Sequence, residues 1–237
     1  MLGKPRKKQD LMNKNVSVLF MLLSMIFVVS LIASNLFETK VIDLWGLEIT
    51  GGLLLFPISY IINDCIAEVW GFKKARLIIW SAFMLNFCVV GIGFLTTLLP
   101  ASAEWDGGEH FNFIFGLAPR IALASFIALL VGSFLNAYVM SKMKLASKGK
   151  NFSLRAIVST VVGETADSLL FFPIAFGGEM PWSLIFKLMC IQIFLKSFYE
   201  VLALPLTIRV VKYIKRVEKV DTFDTDTSFN VFNIKDI

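Results

Sequence analysis

Six long runs of apolar residues alternate with short polar connections along most of the chain. A helix needs about 20 mostly apolar residues to cross the hydrocarbon core of a bilayer, and the runs have about that length. Lipid offers no partner for open backbone, and the runs are too long for barrel strands, so we predict an all-α bundle of six transmembrane helices. The predicted spans lie near residues 16–36, 51–70, 75–99, 117–141, 154–176 and 183–211.

The composition supports a membrane protein: 57% of the 237 residues are hydrophobic and 23 are phenylalanine. The net charge of +5 does not indicate nucleic-acid binding, because the basic residues lie at the ends of apolar runs and not in a patch with aromatic residues. The distribution of these basic residues therefore reports membrane topology.

Most lysines and arginines lie in the N-terminal tail, the second and fourth connections and the C-terminal end, whereas the odd connections carry acidic residues. By the positive-inside rule, the basic side is cytoplasmic, so we predict that both termini are cytoplasmic. We expect a basic tail at 1–15, a six-helix domain at 16–214 and a cytoplasmic tail at 215–237, which we expect to be loosely ordered from residue 217.

The second apolar run, FPISYIINDCIAEVWG, places carboxylates inside an otherwise apolar helix. Asp64 and Glu68 are four residues apart, with Tyr60 one turn earlier, so the three side chains share one helical face. A charge at membrane depth costs roughly 2.5 to 3.5 kcal/mol, so this face must point into the bundle. We predict that Asp64 is a ligand or proton site, and we expect Glu68 to reach Lys73 or Arg76.

Two later spans add more buried charge. Glu164 and Asp167 lie three residues apart in the fifth span, and Gln192, Lys196 and Glu200 recur every four residues in the sixth. Lys196 could pair with Glu200 in its own helix. The surplus of acid indicates protons, cations or a ligand rich in hydrogen-bond donors, and the alternative is structural hydrogen bonding between helices.

Other residues complete the candidate site, each with a structural alternative. Arg120, at the outer end of the fourth span, either extends to the membrane interface or has a functional role, which is to pair with a carboxylate or to gate entry. Phe56, Phe171 and Phe172 either pack in the core or stack on a planar ligand.

Catalytic motifs are absent from the sequence. It contains no GxxxxGK[ST] phosphate loop, HExxH motif or nucleophile elbow, and its single histidine lies in a predicted loop. We therefore predict a protein that is not an enzyme and that uses no cofactor and no metal.

Four blocks of the sequence resemble the queuosine precursor transporter family, formerly a vitamin uptake group, from about residue 30 to residue 210. The blocks are FPISYIINDCIAEVWG followed by AR, then HFNFIFGLAPRIALASFIA, STVVGETADSLLFFPIAF and IQIFLKSFYE. The resemblance implies a six-span bacterial inner-membrane protein that imports 7-cyano- or 7-aminomethyl-7-deazaguanine, or queuine, for tRNA queuosine modification. Positions that match the family's polar pattern are Asp64, Arg76, Arg120, Ser125, Ser159, Gly163, Asp167, Ser168 and Lys196.

The chemistry of such a base fits the candidate residues. A guanine-like ring presents an N1–H and an exocyclic amine side by side, and Asp64 or Asp167 could accept both. The O6 acceptor requires a donor, for which Lys196, Gln192 and Asn63 are candidates. An aminomethyl group would be cationic and would seek a second carboxylate.

Several alternatives remain open at this point. The chain could instead be a substrate-binding membrane subunit that requires a separate energising complex. Proton symport, facilitated diffusion and partner-driven uptake are all compatible with the sequence, as are a monomer and a homodimer. The roles of Glu68 and Glu200 and the preferred precursor also stay open.

Overall fold

Helices account for most of the residues that the computed structural model describes, 17–224. The predicted tail at 1–15 lies outside this part of the chain. The helices are α1 (Val18–Phe37), α2 (Phe56–Trp70), α3 (Phe72–Thr97), α4 (Gly108–Ala146), α5 (Phe152–Phe176) and α6 (Trp182–Glu218). A hairpin of β1 (Val41–Leu44) and β2 (Leu47–Thr50) and a short 3-10 helix (Gly51–Leu54) connect α1 to α2.

Five of these helices, α1, α3, α4, α5 and α6, are long and apolar enough to cross a bilayer. The second predicted span differs from the expectation, because its first residues form the 3-10 helix and α2 has only 15 residues. At 1.5 Å per residue α2 is about 22 Å long, which is shorter than the hydrocarbon core of about 30 Å.

Helix α2 is instead the centre of the bundle. It contacts α1, α3, α4 and α6, and most of its side chains from residue 59 to residue 69 are buried. Polar residues can occupy this helix because neighbouring helices shield them from lipid. The predicted burial of the Asp64 face is therefore confirmed.

The hairpin was not predicted from the sequence. Val41 pairs with Thr50 and Leu44 with Leu47, so Trp45 and Gly46 form a two-residue turn in which both residues have positive φ, 54° and 83°. This backbone suits the twist of a tight hairpin. The hairpin brings the chain back beneath the end of α1 and buries Thr50 completely.

Helices α4 and α5 cross at two glycines. A Cβ atom built on Gly132 would lie 2.8 Å from the carbonyl oxygen of Gly163, and a Cβ on Gly163 would lie 2.9 Å from that of Gly132. Only glycine allows this approach, as at many close contacts between membrane helices. The crossing sets the spacing of the helices that carry the candidate site.

We expect Gly132→Ala to destabilise the folded chain by about 1 to 3 kcal/mol, because the added methyl group forces the two backbones apart. Gly91→Ala is the matched control, since a Cβ at Gly91 in α3 has no atom within 4 Å. The measurement is the melting temperature of each variant in detergent. An equal melting temperature for Gly132→Ala and the unmodified chain would contradict this account of the crossing.

The predicted loose C-terminal tail is wrong for residues 217–224, because α6 continues to Glu218 and residues 219–224 pack against the bundle. The carboxylate of Asp224 accepts hydrogen bonds from the Phe72 backbone N–H at 3.1 and 3.2 Å and from Ser141 Oγ at 2.9 Å. Asp224 thereby satisfies a backbone donor at the start of α3. The remainder of the predicted tail, 225–237, lies outside the described residues.

Candidate functional site

A buried lysine joins α5 to α6. Lys196 Nζ lies 3.0 Å from Glu164 Oε2 and 3.3 Å from Asp167 Oδ2, and each of the three side chains is at most 3% exposed. The sequence suggested a pair with Glu200 in the same helix, whereas these ion pairs run between helices. One ammonium therefore lies between two carboxyl groups inside the bundle.

A third carboxyl group, which sequence analysis did not select, lies beside this lysine. Glu38, directly after α1, is 1% exposed, and the charges of Lys196 and Asp167 both act on it. Burial raises the pKa of the Glu38 carboxyl to about 7, although a hydrogen bond with Thr50 and the Lys196 ammonium oppose the shift. Gln192 also donates its side-chain N–H to Thr50 Oγ1.

Asp64 is buried on the other side of the same region. Asn136 Nδ2 donates to Asp64 Oδ1 at 2.9 Å, and among the surrounding charges that of Glu200 acts most strongly on Asp64. Asp64 Oδ2 has no hydrogen-bond partner within the described range, 17–224. Within the described residues, Asn136 therefore orients the Asp64 carboxylate through Oδ1, while Oδ2 can still accept a hydrogen bond.

Tyr60 connects the two halves of the region. The charges of Asp167, Glu164 and Asp64 all act on its phenol group, and its hydroxyl would lie 2.8 Å from a Cβ added to Gly132. The close crossing of α4 and α5 therefore makes room for the Tyr60 ring between the carboxylates.

These residues form one buried site, which we call the carboxylate cluster. Its members are Glu38, Asp64, Glu164, Asp167, Lys196 and Glu200. Several of its oxygens have no hydrogen-bond partner in the described part of the chain, namely Glu38 Oε2, Asp64 Oδ2, Asp167 Oδ1 and Glu200 Oε1. Buried polar atoms in folded proteins are nearly always paired, so this surplus of acceptors fits a ligand with several donors.

A cleft of 410 Å³ opens near one end of the bundle, and Glu38 lies in its wall. Asn112, Phe113, Phe176 and Glu179 also line this cleft. The cleft has the size of a small-molecule site and combines aromatic rings with a few polar groups. It brings the carboxylate cluster close to the hairpin end of the protein.

The other predicted site residues have different surroundings. Arg120 lies 2.9 Å from Glu179 and donates to the backbone carbonyls of Ile174 and Gly177, so it fastens the turn between α5 and α6. Phe171 and Phe172 pack edge to face, with ring centroids 5.4 Å apart, in an apolar core.

Two predicted contacts lie in α2. Asn63 is buried, and its Nδ2 has no hydrogen-bond partner among residues 17–224. Phe56 begins α2, and its side chain lies outside the described part of the structure. Binding by any of these residues stays a prediction.

Glu68 has a structural role at the opposite end of α2. Its carboxylate lies 2.6 Å from Arg155 Nη1, 2.5 Å from Lys215 Nζ and 3.7 Å from Lys144 Nζ. None of these partners was among those proposed from the sequence. The basic fourth connection and the end of α6 therefore meet α2 at one end of the bundle.

Asp221 extends this ionic network. It lies 2.7 Å from Lys144 Nζ and 3.0 Å from Lys215 Nζ. Partial burial acts to raise the pKa of Asp221, but hydrogen bonds from Lys144 and Lys215 outweigh it and hold the pKa below its usual range. The carboxylate is therefore charged at neutral pH, so the network stays intact there.

Comparisons with known proteins agree with the sequence blocks described above. A family model described as "Putative vitamin uptake transporter" matches residues 50–210. The chain is 29% identical over 155 residues to a "Probable queuosine precursor transporter" of Bacillus subtilis (strain 168), with 63% of this chain and 66% of the relative covered. It is 28% identical over 157 residues to the "Queuosine precursor transporter" of Escherichia coli (strain K12), with 65% and 67% covered.

A third relative is a "Probable queuosine precursor transporter" of Haemophilus influenzae, 31% identical over 131 residues, with 54% of this chain and 52% of the relative covered. The chain thus spans between about half and two thirds of the length of these three relatives. No solved structure matches the chain significantly.

Proposed function

The chain belongs to the vitamin uptake transporter family, and on that premise we propose that it imports a queuosine precursor, a 7-deazaguanine base, into the bacterial cell. With five helices long and apolar enough to cross a bilayer, it is an all-α, multi-pass membrane protein. We further propose that α2 and the 3-10 helix complete a sixth crossing and that both termini are cytoplasmic. The gathering of Lys144, Arg155 and Lys215 at one end of the bundle supports this orientation.

The observation that carries this proposal is the set of open carboxylate oxygens around Tyr60. In the proposed binding mode, the two oxygens of Asp167 or of Asp64, one of which is unpaired, accept the N1–H and the exocyclic amine of the base. Lys196 donates to O6, since its ammonium already lies among these carboxyl groups. One site thus offers carboxylate oxygens to the N1–H and amine of the ring and the Lys196 ammonium to its O6.

The same arrangement would reject adenine. Adenine presents an unprotonated N1 where guanine has a donor, so a carboxylate would face a lone pair and the lysine would face an amine. Sites that leave buried polar groups unpaired in this way discriminate by large factors. We therefore propose that the carboxylate cluster selects guanine-like rings.

The two ends of the bundle support an outward-opening state. The cleft near the hairpin is lined by one member of the carboxylate cluster, Glu38. At the other end, Glu68, Arg155 and Lys215 are joined by ion pairs, and residues 219–224 pack over the start of α3. We propose that the base enters through the cleft and that the ionic network must open to release it.

Uptake of labelled queuine, or of a labelled precursor, by cells without another importer tests this function. We expect Asp64→Asn to lower the initial rate about tenfold or more, because the substitution replaces an acceptor oxygen with an amide donor and removes a charge-assisted hydrogen bond. Glu48→Gln is the control, since Glu48 is exposed in the hairpin and pairs with Lys187 at 3.1 Å. Undiminished uptake by Asp64→Asn would remove Asp64 from the site.

A second measurement separates a self-sufficient importer from a subunit of a larger complex. The sequence has no phosphate loop of its own, so uptake powered by ATP would require a partner protein. Purified chain in liposomes should accumulate or equilibrate the labelled base without any other protein. Binding without uptake would instead identify a substrate-binding subunit.

A further inference from the structure

We propose that Glu38 is a further ligand-binding residue, and that it makes the site prefer 7-deazaguanines with a protonated amine over neutral ones. This inference rests on the proposed function. Glu38 lies outside the apolar runs that contain the site residues predicted from the sequence.

Lys196 is shared by several carboxyl groups. Its ammonium pairs with Glu164 and Asp167 at 3.0 and 3.3 Å, and its charge also acts on Glu38. One lysine thus serves three buried carboxyl groups, and burial raises the pKa of Glu38 to about 7. A positive group on the ligand would favour the ionised form of Glu38 and pair with it, whereas a neutral substituent would not.

Glu38 also has an open acceptor. Its Oε2 atom is buried and has no hydrogen-bond partner in the described region, while Thr50 engages the carboxyl group. Glu38 lies in the wall of the 410 Å³ cleft. A ligand that enters through the cleft would therefore meet the side chain that carries this acceptor.

The backbone is shaped around the Glu38 carboxylate. A Cβ atom built on Gly52 would collide with Glu38 Oε1, and one built on Gly51 would lie 2.7 Å from the carbonyl oxygen of Phe37. Ser34 Oγ also donates to the Gly52 carbonyl at 3.1 Å. The two glycines thus leave a space beneath the end of α1 that the Glu38 carboxylate occupies.

The geometry of the ligand requires a second carboxylate. The base would use its donor edge for Asp167 or Asp64, and a substituent at position 7 lies on a different side of the ring from N1. A second carboxylate separate from the first is needed to receive an aminomethyl group there. Glu38 meets this requirement because it comes from the connection after α1, whereas Asp167 belongs to α5.

The test compares two ligands that differ mainly in this charge. The amine of 7-aminomethyl-7-deazaguanine is protonated at neutral pH, whereas 7-cyano-7-deazaguanine is neutral. We expect the purified full-length chain to bind the aminomethyl ligand at least about tenfold more tightly, as measured by calorimetry. Glu38→Gln should remove most of this preference by weakening only the aminomethyl ligand, with less than about a threefold change for the cyano ligand.

Two further variants sharpen the result. Gly52→Ala keeps every charge but displaces the Glu38 carboxylate, so it should also reduce the preference. Glu48→Gln removes an exposed acid from the same end of the protein and should leave both affinities unchanged. If Glu38→Gln does not fold, the preference of the unmodified chain and the effect of Gly52→Ala decide the question.

The outcomes are distinguishable. Equal affinity of the unmodified chain for both ligands would overturn the inference, and so would an equal loss of both ligands in Glu38→Gln, which would indicate a purely structural role. If the unmodified chain binds neither ligand, the proposed function itself fails and this inference fails with it.

Discussion

Lys196→Met is expected to reduce uptake of a labelled precursor to background, a loss of at least about a hundredfold in initial rate. The substitution removes the donor proposed for O6 and leaves Glu164 and Asp167, which lie 3.0 and 3.3 Å from Nζ, without their shared positive charge. Removing one partner from a buried ion pair typically costs about 3 to 5 kcal/mol. The site would then take up protons and lose the acceptors that the base requires.

The control for this variant is Lys187→Met, on the same helix. Lys187 is about half exposed and pairs with Glu48 at 3.1 Å, so its loss should leave uptake unchanged. The double variant Lys196→Met with Glu164→Gln should recover thermal stability but not transport, because charge balance is restored while the donor is still missing. Normal uptake by Lys196→Met would exclude Lys196 from the mechanism.

Arg155→Met is expected to destabilise the folded chain by about 3 to 5 kcal/mol. Arg155 is 1% exposed and contacts both oxygens of Glu68, at 2.6 and 3.3 Å. Methionine would leave the buried Glu68 carboxylate with only its lysine partners. The measurement is thermal unfolding in detergent followed by tryptophan fluorescence.

The comparison with Glu68→Gln identifies the cause of this loss. The double variant Arg155→Met with Glu68→Gln should be more stable than Arg155→Met alone, because a neutral amide then replaces the buried Glu68 carboxylate that has lost its arginine and keeps only Lys215 at 2.5 Å and Lys144 at 3.7 Å. Lys150→Met, at an exposed position close in the chain, should melt like the unmodified protein. An unchanged melting temperature for Arg155→Met would show that this network does not hold α2 in place.

The locations of the five long helices were predictable because membrane burial demands long apolar runs. The ends of the helices were not, since α4 (Gly108–Ala146) and α6 (Trp182–Glu218) extend well beyond the apolar segments predicted at 117–141 and 183–211. Beyond the membrane a helix can continue with polar residues, and hydropathy does not distinguish such residues from a loop. The division of the second apolar run into a 3-10 helix and the short α2 was not predicted either, because the apolar glycine-rich residues before α2 read as part of one helix.

The candidate site was predictable where a charge interrupts an apolar run, as at Asp64, Asp167 and Lys196. Glu38 gave no such signal, because it follows the end of α1 and resembles an ordinary acidic residue of a connection. Glu38 is buried only because the hairpin and the turn at Gly52 bring the chain back against its carboxylate. The partners of Glu68 were equally hidden, since pairing across helices depends on packing and not on spacing within one sequence segment.

Equilibrium binding to the purified chain tests the central claim most directly, that buried carboxylates accept the donor edge of a flat guanine-like base. Labelled 7-aminomethyl-7-deazaguanine is the probe, with queuine, 7-cyano-7-deazaguanine, guanine and adenine as competitors. The account predicts saturable binding that the guanine-like compounds displace, that adenine does not displace, and that Asp167→Asn weakens at least about tenfold. Displacement by adenine as effective as that by guanine, together with unchanged binding by Asp167→Asn, would contradict it.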